Sequence, residues 1–313
     1  MPHASSPTTS APTRLGGGRP SATAEINAQM RAADAALVPA RRLVGDPFAK
    51  YFVTNPRYRL LRLTPGVALG GLRLFDRLFG GLLAEILLRG RYLEDALVAA
   101  AARGVTQVVL LGAGHDATAL RGPENHPELR GVRFFEVDHP ATQEVKRSVL
   151  RQIGADTGRI TFVPADLAQG VPLDGLVDAG FDVARPCLVA WLGVSYYLSF
   201  TAFERILADI AALCAPGSTL VYDYLAPQVV DGTTKYRGAR RAARSVRRRG
   251  EPYTLGLTDQ QAAAAAQAVG FTPVDSSRVP ELVRRYGGRT PYCRPDDYLG
   301  VLTLTRTGPG TGR

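Results

Sequence analysis

Residues 105–116 read VTQVVLLGAGHD, and this stretch decides the fold class. Its first seven residues form a nearly continuous apolar run, which is typical of a parallel strand buried on both faces. The run ends in Gly112-Ala113-Gly114, which predicts a tight turn directly after the strand. The stretch therefore predicts a buried strand and a glycine turn of the kind found in α/β proteins.

Similar apolar runs follow along the chain, and helix-length polar or alanine-rich stretches separate them. The runs occupy residues 132–137, 160–163, 187–191 and 218–224. Five strands that alternate with helices predict a doubly wound, mostly parallel sheet with right-handed crossovers. Two later runs, 271–274 and 301–305, are separated by a turn-rich loop and predict an antiparallel pair at the C-terminal edge.

The sequence before this core has a different character. Residues 1–22 are rich in Ser, Thr, Pro, Ala and Gly and predict a disordered tail. Residues 23–102 predict an N-terminal helical cap, because apolar residues recur there at spacings of three and four. Residues 103–306 form the predicted core. The longest apolar segment, 66–88, carries too many charged residues for a membrane span, so we expect a soluble, cytoplasmic protein.

The positive charge of the chain is concentrated in one segment. The 313 residues carry a net charge of +10, and residues 235–249 contribute eight basic and no acidic side chains. Three interpretations stay open: a solvated helix face, a contact for an anionic substrate or carrier protein, and a nucleic-acid patch. Because no nucleic-acid-binding module is recognisable, we expect a small-molecule partner and no nucleic acid. The oligomeric state stays open.

The three cysteines do not predict a metal site. Cys187, Cys214 and Cys293 are far apart in the sequence and lack the C-x-x-C spacing of metal and redox sites. We expect them to be core thiols.

The glycine turn and nearby acidic residues predict a nucleoside-cofactor site. Asp116 follows the turn, and Glu136 and Asp138 end the second predicted strand. Ligands of doubly wound sheets lie at the carboxyl ends of the strands, where a glycine turn lets the backbone approach a nucleotide. An acidic side chain there can accept hydrogen bonds from both ribose hydroxyls.

The turn alone does not identify the nucleoside. Ala117 could be the third small residue of a dinucleotide fingerprint, which would make the chain a nicotinamide-dependent oxidoreductase. No Tyr-x-x-x-Lys pair for hydride transfer follows, in a chain with only three lysines. S-adenosylmethionine has no phosphate and needs only the looser G-x-G turn. A non-catalytic module that binds a partner or nucleic acid is the third alternative.

Short motifs occur in a fixed order along residues 22–306. They are TAE at 23–25, DPFA at 46–49, RGRYLED at 89–95, VVLLGAGHD at 108–116, FFEVDHPATQ at 134–143, VPADL at 163–167, WLGVSYYL at 191–198 and PGSTLVYDY at 216–224. In this order they resemble the leucine carboxyl methyltransferase-like family of class I S-adenosylmethionine-dependent methyltransferases, and in particular its actinobacterial members. The resemblance implies a Rossmann-like methyltransferase core and S-adenosylmethionine as the cofactor.

The resemblance also implies roles for individual residues. Arg89 is expected to pair with the methionine carboxylate of the cofactor, since a carboxylate needs a planar cationic partner. Gly112 and Gly114 would line the cofactor's backbone, and Asp138 would hold its ribose. Asp116 and Glu136 are further candidates for this site.

The resemblance also predicts which residues contact the adenine end of the cofactor, and the sequence departs from the family pattern at some positions. Asp166 and Leu167 would flank the adenine. Leu192 stands where the family often has an acidic residue before Gly-Val, so one polar contact to the cofactor is missing or supplied elsewhere. His115 and Ala117 also depart from the usual pattern after the glycine turn.

The expected reaction is methyl transfer to an oxygen atom of a small metabolite. The family suggests a carboxylate, which is ionised at neutral pH and needs no general base, whereas a phenol or alcohol would require one. His115 and His139 are the candidates for such a base. Tyr196 and Tyr197 are candidates for the acceptor pocket. The sequence assigns no catalytic residue.

Overall fold

The computed structural model describes residues 21–53, 65–287 and 295–307. Residues 1–20 of the predicted tail and Cys293 lie outside the described residues. The predicted boundary at residue 22 falls inside a helix that begins at Ala22. The Ser21 hydroxyl caps this helix by accepting a hydrogen bond from the Ala24 amide at 3.2 Å.

Three α-helices of the described chain precede the sheet, in the segment predicted to be a helical cap. They are α1 Ala22–Ala35, α2 Pro65–Leu78 and α3 Leu82–Ala102. Helix α3 begins where the buried carboxylate of Asp76 accepts hydrogen bonds from the amides of Leu83 and Ala84, at 3.0 and 3.2 Å. This satisfies two of the amides that a helix leaves free in its first turn.

A seven-stranded sheet in the order β3-β2-β1-β4-β5-β7-β6 forms the centre of the molecule. The strands are β1 Gln107–Leu111, β2 Arg133–Asp138, β3 Ile160–Pro164, β4 Leu188–Trp191, β5 Thr219–Leu225, β6 Phe271–Arg278 and β7 Leu299–Arg306. The first five are parallel, β7 is antiparallel to β5, and β6 is antiparallel to β7. The predicted fold class, with its antiparallel C-terminal edge, is confirmed.

Helices follow or separate the strands. They are α4 Thr118–Asn125, α5 Pro140–Gln152, α6 Leu173–Asp178, α7 Phe200–Leu213, α8 Pro227–Val230, α9 Arg237–Arg248, α10 Asp259–Ala268 and α11 Val279–Tyr286. Among the described residues, no helix is both long enough and apolar enough to cross a membrane.

Alternate residues of each central strand pack into two different apolar layers. In β1, Val108 and Leu110 belong to the layer that contains α3, whereas Val109 and Leu111 belong to the layer that contains α7. This follows from the two-residue period of a strand that is covered on both faces. Cys187 and Cys214 lie buried in the second layer, and their Sγ atoms are 3.7 Å apart although 27 residues separate them.

The strand order changes direction between β1 and β4. From β1 the chain proceeds outward through β2 to β3 and then returns to place β4 on the other side of β1. Helices that follow β1 and β4 therefore diverge and leave a crevice beyond the carboxyl ends of these strands. This is the place where open α/β sheets bind their ligands.

Candidate active site

The turn after β1 has a backbone that requires glycine. Gly112 and Gly114 have φ angles of 70° and 49°, a region that other residues rarely adopt. The amides of Gly112 and Ala113 donate to the carbonyl of Val137 at 2.8 and 3.3 Å. The Gly114 amide donates to the side chain of Asp138. These bonds hold the turn and the end of β2 together.

Substitution of Gly112 is expected to destabilise the fold. A Cβ atom at this position would lie 2.3 Å from Cγ2 of Val194, and the positive φ adds strain. We expect Gly112→Ala to lower the free energy of unfolding by about 1–3 kcal/mol in chemical denaturation. Gly131→Ala is the control, because a Cβ there meets nothing within 4 Å. Equal stability of the two variants would contradict the prediction.

A cavity of about 170 Å³ lies beside this turn. Its walls are formed by the carboxyl ends of the parallel strands together with parts of α1 and α3. The residues predicted from the sequence that line it are Arg89, Gly112, Gly114, Asp116, Asp138, Asp166 and Leu167. Of the eight predicted cofactor residues, only Glu136 is absent from this wall.

Glu136 lies beneath the cavity and not in its wall. It is buried, and its Oε2 is 2.6 Å from Nζ of Lys146, which is buried as well. Burial raises the pKa of Glu136, and the neighbouring ammonium opposes that shift. Lys146 also donates to the carbonyl of Asp116, so the ion pair supports the loop after the glycine turn. The structure thus assigns Glu136 to a buried ion pair, contrary to the expectation that it contacts a ligand.

The Asp138 carboxylate can accept more hydrogen bonds than it receives from the protein. One of its oxygens accepts from the Gly114 amide and the other from the His139 amide, the latter at 2.6 Å. Burial raises the pKa of Asp138, and these two hydrogen bonds oppose the shift. A carboxylate has about four acceptor positions, so about two remain for a ligand diol. The His139 ring is engaged as a helix cap, since its Nδ1 accepts from the Ala141 amide at 3.2 Å.

Asp116 and Arg31 form a charged pair at another part of the wall. Burial alone would raise the pKa of Asp116, but Arg31 and Arg121 outweigh it and hold the pKa well below its usual range. Arg31, from α1, also donates to the carbonyl of His115 at 2.8 Å. Helix α1 is therefore tied directly to the loop that follows the glycine turn.

His115 is a wall residue with two unsatisfied polar atoms. Its ring stacks on Phe52 with 5.0 Å between the centroids, and neither ring nitrogen has a hydrogen-bond partner among the described residues. Burial lowers the pKa of His115 to about 4, and the charges of Lys146 and Arg31 add to this shift. The ring is therefore neutral at physiological pH and offers a donor and an acceptor to a ligand.

Arg89 lies at the centre of a buried charged group. Its Nη1 is 2.7 Å from Asp223, 3.0 Å from the hydroxyl of Tyr196 and 3.6 Å from Glu85. Asp223 also accepts from the Gly193 amide, at 2.9 and 3.0 Å. These contacts all use Nη1, and no described residue bonds to Nη2. The guanidinium can therefore bind a further ligand without losing its present partners.

Leu192 contributes an apolar side chain to the cavity wall at the position where an acidic residue was expected. The neighbouring strand β5 carries a carboxylate, Asp223, which is fully buried and engaged with Arg89 and Gly193. Asp223 does not line the first cavity, so it does not supply the polar contact that an acidic residue at position 192 would make there.

A second cavity, of about 300 Å³, adjoins the first. The two share the residues Thr23, Asn27, Ile86, Arg89 and Tyr197. The second cavity is mainly apolar and aromatic, and its wall includes Met30, Phe75, Phe79, Leu82, Leu83, Leu225, Tyr253 and Tyr298. Tyr196 lines only the second cavity and Tyr197 lines both, so the two predicted acceptor-pocket residues lie at or near the junction.

Glu85 is a buried acidic residue of the second cavity that no sequence motif indicates. It is 2% exposed, and its Oε2 accepts from the hydroxyl of Tyr298 at 2.9 Å. Burial raises the pKa of Glu85 to about 7, although Arg89 and the Tyr298 hydrogen bond oppose the shift. One signal was present in the sequence: Glu85 interrupts the apolar face of a helix, between Leu83 and Ile86.

The arginine-rich segment forms helix α9, which borders the second cavity. Its inner face is buried through Gly238, Ala239, Ala242 and Val246, and most of its arginines are exposed on the outer face. Ala242, Ser245 and Val246 line the cavity, as does Arg249 just beyond the helix. The segment therefore combines a solvated face with a wall of the candidate site.

Comparisons with known proteins point to one family. Residues 24–211 match the family model described as leucine carboxyl methyltransferase. The chain is 36% identical over 140 residues to the "Putative S-adenosyl-L-methionine-dependent methyltransferase YktD" of Bacillus subtilis (strain 168), an alignment that spans 44% of each protein. It is 33% identical over 236 residues to a "Putative S-adenosyl-L-methionine-dependent methyltransferase" of Mycobacterium avium (strain 104), across 70% of this chain and 72% of that protein.

The fold is similar to that of a solved structure. The crystal structure of "a putative methyltransferase from Thermobifida fusca YX" superposes with a TM-score of 0.56, over 93% of this chain and 97% of that one. Because the sequence identity is 16%, this similarity concerns the fold alone.

Proposed function

The chain belongs to the leucine carboxyl methyltransferase family of S-adenosylmethionine-dependent methyltransferases, and from this premise we propose that it transfers a methyl group to an oxygen atom of a small, largely apolar acceptor. The family match over residues 24–211 confirms the family and the cofactor class that the motifs predict. It also favours methyl transfer over hydride transfer. The acceptor and the site residues are our proposal.

Two adjoining cavities carry this proposal. The first has a glycine turn, two ring nitrogens of His115 without a hydrogen-bond partner among the described residues, and a carboxylate on Asp138 that can accept further hydrogen bonds. These features suit a nucleoside with a charged amino-acid tail. The second is larger and mainly apolar, as expected for the pocket of a hydrophobic acceptor. The two meet at Arg89 and Tyr197, where a methyl group could pass from one ligand to the other.

Each residue of the first cavity has a proposed task. Asp138 accepts hydrogen bonds from the ribose hydroxyls, and Arg89 binds the methionine carboxylate through Nη2. Asp166 accepts from the adenine amino group, and Leu167 packs against the ring. S-adenosylmethionine, when bound, supplies a methyl group that its positively charged sulfur has already activated.

The contribution of the protein is mainly one of position. Holding two reactants in line can lower a barrier by about 7–11 kcal/mol without any covalent step. Residues of the predicted helical cap, 23–102, and of the predicted core, 103–306, both line the two cavities. We propose that the cap and core hold cofactor and acceptor together and exclude water from the reaction.

A variant that fills the second cavity tests whether the acceptor binds there and the cofactor in the first cavity. Ser245 lines the second cavity and not the first, so Ser245→Trp should fill the acceptor pocket while leaving cofactor binding within about twofold of wild type. We expect loss of labelled-methyl transfer from S-adenosylmethionine to 4-methylphenol and to 4-methylbenzoate, two acceptors matched in shape. The control is Ser148→Trp, on α5 and outside both cavities.

Two results would contradict the proposal. Undiminished transfer by Ser245→Trp would place the acceptor elsewhere. Failure of the wild-type protein, with its cofactor bound, to methylate either compound would exclude this pocket as a site for small aromatic oxygen acceptors.

A further inference from the structure

We propose that the acceptor enters as a neutral phenol and that Glu85 accepts its proton as the methyl group is transferred. This inference rests on the proposed function and makes it more specific, because the family resemblance suggests a carboxylate. It assigns a catalytic role to a residue that the comparisons and the sequence motifs leave without one.

Glu85 lies where a base for the acceptor would have to lie. It lines the second cavity and not the first, so it is on the acceptor side of the junction. Its Oε1 is 3.6 Å from Nη1 of Arg89, which lines both cavities. Its Oε2 accepts from Tyr298, whereas no described residue donates a hydrogen bond to Oε1. One carboxylate oxygen is therefore fixed and the other is available for an acceptor hydroxyl.

The local charges disfavour an acceptor that is already ionised. Glu85 and Asp223 place two carboxylates beside the single guanidinium of Arg89, and all three side chains are buried. The methionine carboxylate of the cofactor is proposed to bind the same guanidinium, so an acceptor carboxylate would be a fourth carboxylate beside this one cation. A buried charge without a partner of its own is costly in an apolar environment. A neutral hydroxyl adds no charge and can donate its hydrogen bond to Glu85. The aromatic walls suit a phenol in particular.

The protonation state of Glu85 fits this task. Burial raises the pKa of Glu85 to about 7. A general base with a pKa near the working pH is deprotonated in a large fraction of molecules and still accepts a proton readily. Burial raises the pKa of each neighbouring tyrosine, so these hydroxyls stay neutral. The charged and titratable groups that act on Glu85 are Asp76, Arg89, Tyr196, Asp223, Tyr253 and Tyr298.

The proposed step is balanced in atoms and charge. The O–H bond of the phenol breaks and its proton moves to the Glu85 carboxylate. The phenol oxygen forms the new bond to the methyl carbon, while the bond from that carbon to sulfur breaks and leaves its electron pair on sulfur. The products are a methyl ether, a neutral thioether and a protonated Glu85, which then returns its proton to water.

The pH dependence of Glu85→Gln tests the inference. With 4-methylphenol as the probe, we expect wild-type kcat/KM to rise about tenfold per pH unit below about pH 7 and to level off above it, because only ionised Glu85 can accept a proton. Glu85→Gln should be slower by a factor of about 10²–10⁴ and should lose this rise. Glu85→Asp should recover part of the rate, and its affinity for S-adenosylmethionine should match that of wild type.

Glu144→Gln is the charge control for this experiment. Glu144 is exposed, and its partner is the exposed Arg151 on the same helix, so its removal should leave both the rate and the pH profile unchanged. Cofactor affinity and thermal unfolding are measured for every variant, which separates a lost base from a lost fold.

The possible outcomes separate this inference from the proposed function. Transfer to 4-methylbenzoate in preference to 4-methylphenol, with a rate that falls as pH rises through about 7, would overturn the inference and leave methyl transfer intact. Full activity of Glu85→Gln on 4-methylphenol would do the same. Absence of transfer to either compound would overturn the proposed function and the inference together.

A measurement without any acceptor tests the state of Glu85 itself. The folded protein binds the Glu85 proton more tightly than the unfolded chain, since the pKa is raised from 4.5 to about 7. The stability of wild type relative to Glu85→Gln should therefore fall as pH rises across this interval and stay constant above it. A difference that does not change with pH would contradict a buried carboxyl of this kind.

Discussion

Replacement of Arg89 by alanine is expected to lower the free energy of unfolding by about 3–5 kcal/mol, because it leaves buried carboxylates without their cation. Asp223 is fully buried and lies 2.7 Å from the guanidinium, and Glu85 lies 3.6 Å from it. Urea denaturation at neutral pH measures the loss. The variant should also lose most of its affinity for S-adenosylmethionine, since the same guanidinium is proposed to bind the methionine carboxylate.

Arg91→Ala is the matched control on the same helix. The Arg91 side chain is 37% exposed and forms an exposed pair with Asp95 on α3, while its other partner, the buried Glu94, is also paired with Arg121. An exposed pair of this kind contributes about 0–1 kcal/mol, so the variant should be nearly as stable as wild type. If Arg89→Ala were no less stable than Arg91→Ala, the buried charged group would not stabilise the fold as its geometry indicates.

Asp138→Ala is expected to weaken S-adenosylmethionine binding by about 100-fold or more, as measured by calorimetry. Each hydrogen bond to a charged acceptor contributes about 1.5–3 kcal/mol, and the ribose diol is proposed to form two with this carboxylate. The variant also loses the acceptor of the Gly114 amide, which fixes the turn under the ligand.

The control for this prediction is Asp156→Ala. Asp156 is an exposed carboxylate in the loop before β3 that also accepts a backbone hydrogen bond, from Gly158 at 2.9 Å, and it lines neither cavity. Its removal should leave the affinity unchanged. A similar affinity for both variants would show that the carboxylate at the end of β2 does not hold the ligand.

The parallel core could be predicted because its signals are local. A buried strand needs a short apolar run, and a glycine turn needs residues that tolerate a positive φ, so VTQVVLLGAG specifies both. The predicted bounds fail at the exposed edge. Strand β6 continues to Arg278, beyond the predicted end at residue 274, because edge residues such as Asp275 alternate between exposed and partly buried positions and give no apolar run.

The candidate site could be predicted only where its residues follow strand ends. Asp138 and Glu136 are on the same face of β2, and the sequence alone does not tell that Lys146 covers one of them. The charged group at the junction of the two cavities is still harder to predict from the sequence. Arg89 and Asp223 are 134 residues apart, and their contact depends on how α3 packs across the sheet. Such long-range pairing leaves no local pattern in the sequence.

Titration of S-adenosylmethionine into the wild-type protein, with a nicotinamide dinucleotide as the comparison ligand, is the most direct test of the cofactor assignment. The geometry of the first cavity predicts saturable binding of S-adenosylmethionine at one site per chain, and no measurable heat from the dinucleotide. Binding of the dinucleotide without binding of S-adenosylmethionine would contradict it.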